Sequence, residues 1–174
     1  MGGAFDPPHV GHVALAKGAL SDLGADRVLV LVSERPGHKP TVLDASTRLE
    51  LARLAFADVA GAEVRPDPHA YTVDLLRNEQ FDDAVLVIGA DQWVAFDTWK
   101  EPDEIRRLIP IAVAARPGEP SPGDDVRVFP IAQHPVSSSE IRARVAAGEA
   151  IDELVPRAVA REIARRGLYA GVRG

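Results

Sequence analysis

No cysteine occurs among the 174 residues, so no disulfide framework can form and any metal site would have to do without thiolates. No apolar run reaches the roughly 18 residues that a membrane-spanning helix needs. The first residues lack the basic stretch followed by an apolar one that marks a secretion signal. Together these absences predict a cytoplasmic chain without membrane attachment. Basic charge is in deficit: 20 lysines and arginines face 26 aspartates and glutamates, for a formal net charge of −6. Broad nucleic-acid binding rests on neutralising phosphates with Lys and Arg and is disfavoured, whereas a small anion in a locally positive cleft is still allowed. Lysine itself is scarce, with only Lys17, Lys39 and Lys100, and aromatic residues make up 5%. Internal repeats and low-complexity tracts are also lacking. What remains is an ordinary globular composition, 46% apolar and 26% charged, at a length that suits one core and a single domain over residues 1–174.

The stretch GGAFDPPHVGH, residues 2–12, carries the densest chemistry. Gly2 and Gly3 let a ligand approach the main chain closely, and Pro7 and Pro8 forbid helix through the turn. Val10, Val13, Ala16, Leu20 and Leu23 then repeat at the spacing of a buried helix stripe. His9 and His12 therefore sit at a helix start, where unpaired N–H groups and the positive end of the dipole favour an anion. Three positions apart, they are expected on one helix face, aimed at one ligand. Two plainer readings stand beside this one: solvated loop histidines, or a metal site completed by Asp6. His38, His69 and His134 each read as isolated loop residues, so a full metal-ligand set cannot be assembled from the sequence.

Further along, apolar β-branched runs alternate with helical patterns. Strands are expected at 27–33, 62–65, 84–89, 111–116 and 126–131, with 84–89 the central one because it is apolar throughout. Helices are expected at 45–57, with Thr47 and Glu50 as a capping box, after Tyr71 with Thr72 as N-cap, at 105–109, and from Pro156 to a stop at Gly167. The arginines of that last helix are expected to face solvent. Three loops stand out. Pro36, Gly37, His38, Lys39 and Pro40 follow a strand, where open α/β sheets hold their ligands, although an ordinary polar loop reads equally well. Gly89, Ala90 and Asp91 follow the central strand and lead to Trp93, Phe96 and Trp99, for which core packing is the plain alternative. Ser137, Ser138 and Ser139 precede a helix carrying Arg142, a second candidate anion site facing the first. The alternation predicts a doubly wound parallel α/β sheet.

GGAFDPPHVGH resembles the GxFDPxHxGH signature of the HxGH nucleotidyltransferases, and specifically that of bacterial nicotinate-nucleotide adenylyltransferases. The Pro-x-His-Lys loop, the Tyr71-Thr72 pair, GADQWVAFDTW and SSSEIR follow in the family's order, although Asp74 and Leu75 stand where its Y-T-x-x-T-L pattern continues differently. The resemblance implies a Rossmann-like sheet of the nucleotidyltransferase type. It also implies transfer of the adenylyl group of ATP to nicotinate mononucleotide, releasing pyrophosphate, with Mg²⁺ carried by the ATP phosphates and no metal held by the protein. His9, His12, Lys39 and Arg142 would be the catalytic group. ATP would lie on Gly2, Gly3, Phe5, His9, His12, Gly89, Asp91, Ser137, Ser138 and Arg142, and the nicotinate nucleotide on Ala4, Lys39, Thr72, Trp93 and Trp99. Pantetheine-phosphate adenylyltransferases usually have Thr where His9 stands, and cytidylyltransferases usually lack the GAD-to-Trp segment. A nucleotide-binding sensor without turnover is the alternative of a different class. A homo-oligomer is left open.

Relatives carry an apolar strand just before their Gly-Gly, whereas only Met1 precedes Gly2. The first strand is therefore expected to be missing from between 27–33 and 84–89. Either the start is internal to a longer chain, or those two neighbours close over the gap.

Overall fold

In the computed structural model, which describes residues 1–37, 40–115, 126–132 and 134–171, every apolar run named above becomes a strand of parallel sheet. The chain runs β1 (Gly2–Gly3), α1 (Val10–Asp22), β2 (Val28–Ser33), α2 (Ala45–Phe56), β3 (Ala62–Asp67), α3 (Thr72–Asn78), β4 (Leu86–Gly89) and α4 (Ala90–Val94). A 3₁₀ turn (Phe96–Thr98), α5 (Pro102–Leu108), β5 (Ile111–Ala115), β6 (Arg127–Pro130), α6 (Ser138–Ala146) and α7 (Arg157–Arg166) complete it. The strands form two three-stranded parallel sheets, ordered β1-β2-β3 and β4-β5-β6. Set end to end these are the two halves of the doubly wound order 3-2-1-4-5-6, with the ladder interrupted between β1 and β4. A shared core bridges the interruption: Met1, Val30 and Val32 pack in one cluster with Val87, Ala112, Ala114 and Phe129. A second cluster, around Val73, Ile88, Phe96, Ile105 and Val113, lies on the β4-β5-β6 half.

The expectation of a missing first strand is corrected. Gly2 pairs with Leu31 and Gly3 with Val32 in parallel register. The Met1 amino group donates to the Leu29 carbonyl at 2.9 Å, and the Met1 carbonyl accepts from Leu31 N at 2.9 Å. Backbone pairing needs no side chains, so two glycines suffice for a stub that satisfies one edge of β2 while β3 satisfies the other. The two expected neighbours do not close on each other. β2 ends up between β1 and β3, and β4 pairs with β5.

Helix starts differ from the expected caps. Asp44 caps α2: its Oδ1 accepts from Thr47 N at 2.9 Å and Ser46 Oγ at 2.6 Å, and its Oδ2 from Thr47 Oγ1 at 2.9 Å. The Thr47-Glu50 box is displaced because a carboxylate one turn earlier offers two acceptors to three donors. Those hydrogen bonds, Ser46's foremost, hold the Asp44 carboxyl well below the usual range. α7 follows Pro156 and stops at Gly167, whose φ of 62° is the left-handed stop that glycine permits. Its arginines are solvated except that Arg166 reaches across to Glu50 of α2 at 2.8 Å.

Arg48, on the inner face of α2, is only 1% exposed. Its Nη1 donates to the carbonyls of Ala4 and Ser33, both at 2.7 Å, its Nη2 to Glu34 O at 3.2 Å and its Nε to Leu43 O at 3.2 Å. One guanidinium thus ties the segment after β1, the end of β2 and the approach to α2 into one knot. Burial pulls its pKa down, opposed by the nearby charge of Asp6. Replacing it with an apolar residue leaves several buried carbonyls without donors. Arg48→Leu is therefore expected to lower the unfolding free energy by about 3–5 kcal/mol in urea titrations, with Arg48→Lys recovering part of the loss; a loss below about 1 kcal/mol would show that the knot is dispensable.

Candidate active site

The segment leaving β1 turns sharply at Phe5, whose φ of 51° lies in the left-handed region that non-glycine residues rarely adopt. Its buried ring meets Phe56 edge-on at 6.1 Å and His12 at 4.8 Å. The turn points Asp6 inward, where it is 4% exposed. Asp6 Oδ2 accepts from Val42 N at 2.6 Å and Oδ1 from the Tyr169 hydroxyl at 2.8 Å. Its carbonyl accepts from Arg142 Nη1 at 2.7 Å. Burial and the neighbouring Asp6 charge push the Tyr169 hydroxyl far up, so it remains a proton donor. Both carboxylate oxygens of Asp6 are thus engaged by protein donors, and among the described residues Asp6 does not stand with His9 and His12 as a metal-holding group. The Asp6–Pro7 peptide is cis, and Pro7 O accepts from Ser138 Oγ at 2.8 Å.

His9 and His12 do converge, but not by sharing a helix face. His9 is the N-cap of α1 with extended backbone, and its N–H donates to His12 Nδ1 at 3.1 Å. The rings stack with centroids 3.7 Å apart. Because His12 Nδ1 accepts that proton, its Nε2 is the nitrogen that carries hydrogen in the neutral ring. The His9 ring is only 9% exposed; burial first, and then the charge His134 would carry, lower its pKa to about 4, so it is neutral near pH 7. Gly11 allows this arrangement, since a Cβ there would lie 3.1 Å from His9 Nδ1 and 3.2 Å from Cε1. Gly11 was not among the expected site residues, although its place between the two histidines was the signal for it.

At the second candidate anion site the three serines divide the work. Ser137 caps α6 by accepting from Glu140 N at 3.1 Å, Ser138 tethers Pro7, and Ser139 Oγ lies 3.4 Å from Arg142 Nη2. The start of α6 and Arg142 are thereby held against the same turn as the histidine pair. Lys39 and His38 lie outside the described residues. The flanks of their loop are both tied to the site: Gly37 N donates to Ala70 O at 3.3 Å, and Val42 N to Asp6.

Of the residues expected to meet the nicotinate nucleotide, Ala4 lies on the turn after β1 and Lys39 outside the described residues, while Thr72 opens α3, Trp93 lies in α4 and Trp99 follows the 3₁₀ turn. Tyr71, not Thr72, is the N-cap of α3; Thr72 is its first helical residue, because the Tyr71 carbonyl already takes the N–H groups of Asp74 and Leu75. The Tyr71 ring covers Gly37, where a Cβ would meet it at 2.7 Å, and Lys100 Nζ sits 4.9 Å above it while pairing with Asp74 at 2.9 Å. Trp93 and Trp99 flank the buried ring of Phe96 at 5.3 and 5.1 Å and remain half-buried, with Arg106 over Phe96 at 4.8 Å. Phe96 takes the core role the sequence offered to the whole cluster, leaving the two tryptophans partly open. Gly89 caps the five-residue α4, and a Cβ on it would meet nothing within 4 Å. Its N–H donates to Gln92 Oε1 at 3.2 Å. Asp91, two residues on in the first turn of α4, is exposed. The residues expected at the phosphates thus stand on β1, the start of α1 and the start of α6, and the aromatic cluster between β4 and α5, with the break in the ladder between β1 and β4. Ligands of open α/β sheets lie in the crevice at such a point. Two histidines are not isolated as expected: His69 Nδ1 lies 2.9 Å from Asp67 Oδ1, and His134 borders Gly11.

Comparison with known proteins gives the same outline. Residues 1–144 match the family described as cytidylyltransferase-like. A Thermus thermophilus protein named as a nicotinate-nucleotide adenylyltransferase is 38% identical, covering 97% of each chain. A Bordetella avium protein of the same name is 37% identical over 97% of this chain and 95% of its own. Among solved structures, the nicotinic acid mononucleotide adenylyltransferase of Plasmodium falciparum complexed with NaAD superposes with a TM-score of 0.76 at 16% identity, covering 97% of this chain and 94% of that one, and so shares the fold.

The buried, neutral His9 has a consequence for stability. In the unfolded chain it titrates near its ordinary 6.5, whereas in the fold it resists protonation down to about 4. Between those values the unfolded state binds the extra proton, so this contribution to stability is complete above 6.5 and is lost as pH falls toward 4. Urea unfolding should show wild type losing about 2 kcal/mol more than His9→Gln between about pH 7.5 and pH 5; parallel losses in the two proteins would contradict the neutral buried ring.

Proposed function

The chain belongs to the cytidylyltransferase-like family and, within it, to the nicotinate-nucleotide adenylyltransferases, and from that premise we propose how its residues transfer the adenylyl group of ATP to nicotinate mononucleotide, giving nicotinate adenine dinucleotide and pyrophosphate in NAD biosynthesis. The observation that carries the assignment of roles is the stacked His9–His12 pair at the start of α1, with Arg142 anchored on the same turn.

A phosphate oxygen of the mononucleotide attacks the α-phosphorus of ATP. The new P–O bond forms as the bond to the bridging α–β oxygen breaks, and pyrophosphate leaves with that electron pair. The attacking phosphate is already ionised at neutral pH, so no side chain has to remove a proton. The protein's task is positioning and stabilising charge. His12, with its proton on Nε2, and His9 donate to phosphate oxygens. Arg142 and Lys39 stabilise the charge that gathers on the leaving pyrophosphate. The main chain at Gly2, Gly3 and Phe5, the start of α6 at Ser137 and Ser138, and Gly89 with Asp91 line the ATP side. Ala4, Thr72, Trp93 and Trp99 receive the nicotinate nucleotide, the half-buried tryptophans offering flat faces to a flat ring. Mg²⁺ carried by the triphosphate would neutralise part of its charge. Among the described residues no three His, Asp or Glu side chains stand together to hold an ion, which suits a metal carried by the substrate. Among the described residues no helix is long and apolar enough to cross a membrane, and we place the reaction in the cytoplasm.

The test is pyrophosphate and dinucleotide release from ATP with nicotinate mononucleotide, run beside nicotinamide mononucleotide and phosphopantetheine. Turnover is expected with the first and a lower kcat/KM with the second; binding without turnover would identify a sensor, and turnover with phosphopantetheine alone a different transferase. His12→Ala is expected to lower kcat by about 10²–10³-fold with the fold intact, and retention of more than about half the activity would remove His12 from the phosphate site.

A further inference from the structure

His134 lies on the segment between β6 and α6, its carbonyl accepting from Val136 N at 2.8 Å in a tight turn around Pro135. The side chain is exposed, yet its base is pressed against the turn that carries the two active-site histidines. A Cβ placed on Gly11 would lie 3.8 Å from Cβ of His134 and 3.1 Å from Nδ1 of His9. The space left by the missing side chain of Gly11 is thus walled by His9 Nδ1 on one side and by His134 on the other. The electrostatic influence of His134 on His9 reflects the same closeness.

His9 Nδ1 is buried and has no hydrogen-bond partner among the described residues. A neutral imidazole carries one N–H and one lone-pair nitrogen. If His9 Nε2 donates to a phosphate oxygen, Nδ1 must be the lone-pair nitrogen and is left without a donor. If the proton sits on Nδ1, that N–H has no acceptor, and Nε2 meets the phosphate lone pair against lone pair. Neither tautomer is satisfied until a donor reaches Nδ1. The adjacent backbone donors His12 N and Val13 N are already bonded to the His9 carbonyl. A phosphate oxygen cannot serve, being an acceptor. An exposed imidazole across a side-chain-free gap can, by rotating inward.

We propose that His134 is a positioning residue: a ring N–H of His134 reaches over Gly11 to His9 Nδ1 and holds His9 in the tautomer whose proton sits on Nε2, toward the phosphates. This rests on the adenylyl-transfer reading, which places a phosphate before His9. It adds a residue outside the motifs that identified the site, and it gives Gly11 a second role beyond admitting the stacked rings.

The experiment uses the full chain labelled with ¹⁵N in its histidine rings, with the His9 signals assigned by their loss in His9→Gln. Ring nitrogen shifts report the tautomer with and without a non-hydrolysable ATP analogue, and steady-state kinetics are measured in parallel. Wild type with the analogue should show His9 protonated on Nε2. His134→Phe, which fills the space but cannot donate, should mix the tautomers and lower kcat about tenfold with little change in the KM for ATP, while His134→Gln, which can donate, should recover most of the loss. An unchanged His9 tautomer in His134→Phe would overturn the proposal, with water as the donor. A raised KM for ATP at unchanged kcat would overturn it too, making His134 a direct ligand of the triphosphate. Because the tautomer is read without turnover, its outcome stays distinct from failure of the wild-type chain to release pyrophosphate.

Discussion

The buried carboxylate of Asp6 is the constraint around which the site is built. A charge with so little access to water must have its lone pairs met by protein donors, and those donors come from parts of the chain far apart in sequence: Val42 before α2 and Tyr169 after α7. The same residue's carbonyl seats Arg142 of α6. Arg48 complements it, since where Asp6 gathers donors, Arg48 gathers the carbonyls of Ala4, Ser33, Glu34 and Leu43. Between them the two ions fix the turn from both sides, one as the acceptor at its tip and one as the donor beneath it. The exactness of the His9–His12 stack depends on a backbone held this firmly.

Electrostatically the proposed site would have to hold anions in a chain that is not basic. Its net charge is −6, and the buried His9 is neutral near pH 7. Attraction for a polyphosphate therefore has to come from local arrangement: the start of α1, the capped start of α6, and a guanidinium held at the turn. A field built this way acts over the width of the crevice and falls away outside it, which suits a small nucleotide better than a long polyanion.

The ordered motifs were legible because each combines glycine, proline and a functional side chain in a short span, and the alternation of apolar runs gave the doubly wound plan. Strand limits moved by a residue or two where apolar side chains continue into the core beyond the paired register, as at Ala84 and Val85, which pack on the core before β4 begins at Leu86. Caps shifted where a stronger acceptor stood nearby, as Asp44 displaced Thr47. The first strand was misjudged because side-chain pattern was taken as the measure of a strand, whereas Gly2 and Gly3 pair through backbone alone. Arg48 and Tyr169 gave no signal at all: an arginine on a helix reads as a solvated face and a tyrosine beside leucine as core. Their importance lies in partners 44 and 163 residues away, which no local window contains.

The bond between Tyr169 and Asp6 also sets an order of events. Its partners stand 163 residues apart, so closing it costs more chain entropy than any local contact, and it can form only after the intervening strands and helices have brought the two together. During synthesis the glycine-rich turn emerges well before Tyr169, with its carboxylate still in water, and stays loosely defined while the intervening residues follow. A nascent or truncated product that had folded its sheets but not yet delivered residue 169 would hold most of the scaffold with an unfinished catalytic turn. The turn is thus completed only by a residue 163 positions further along the chain, and its assembly reports that this later segment has docked.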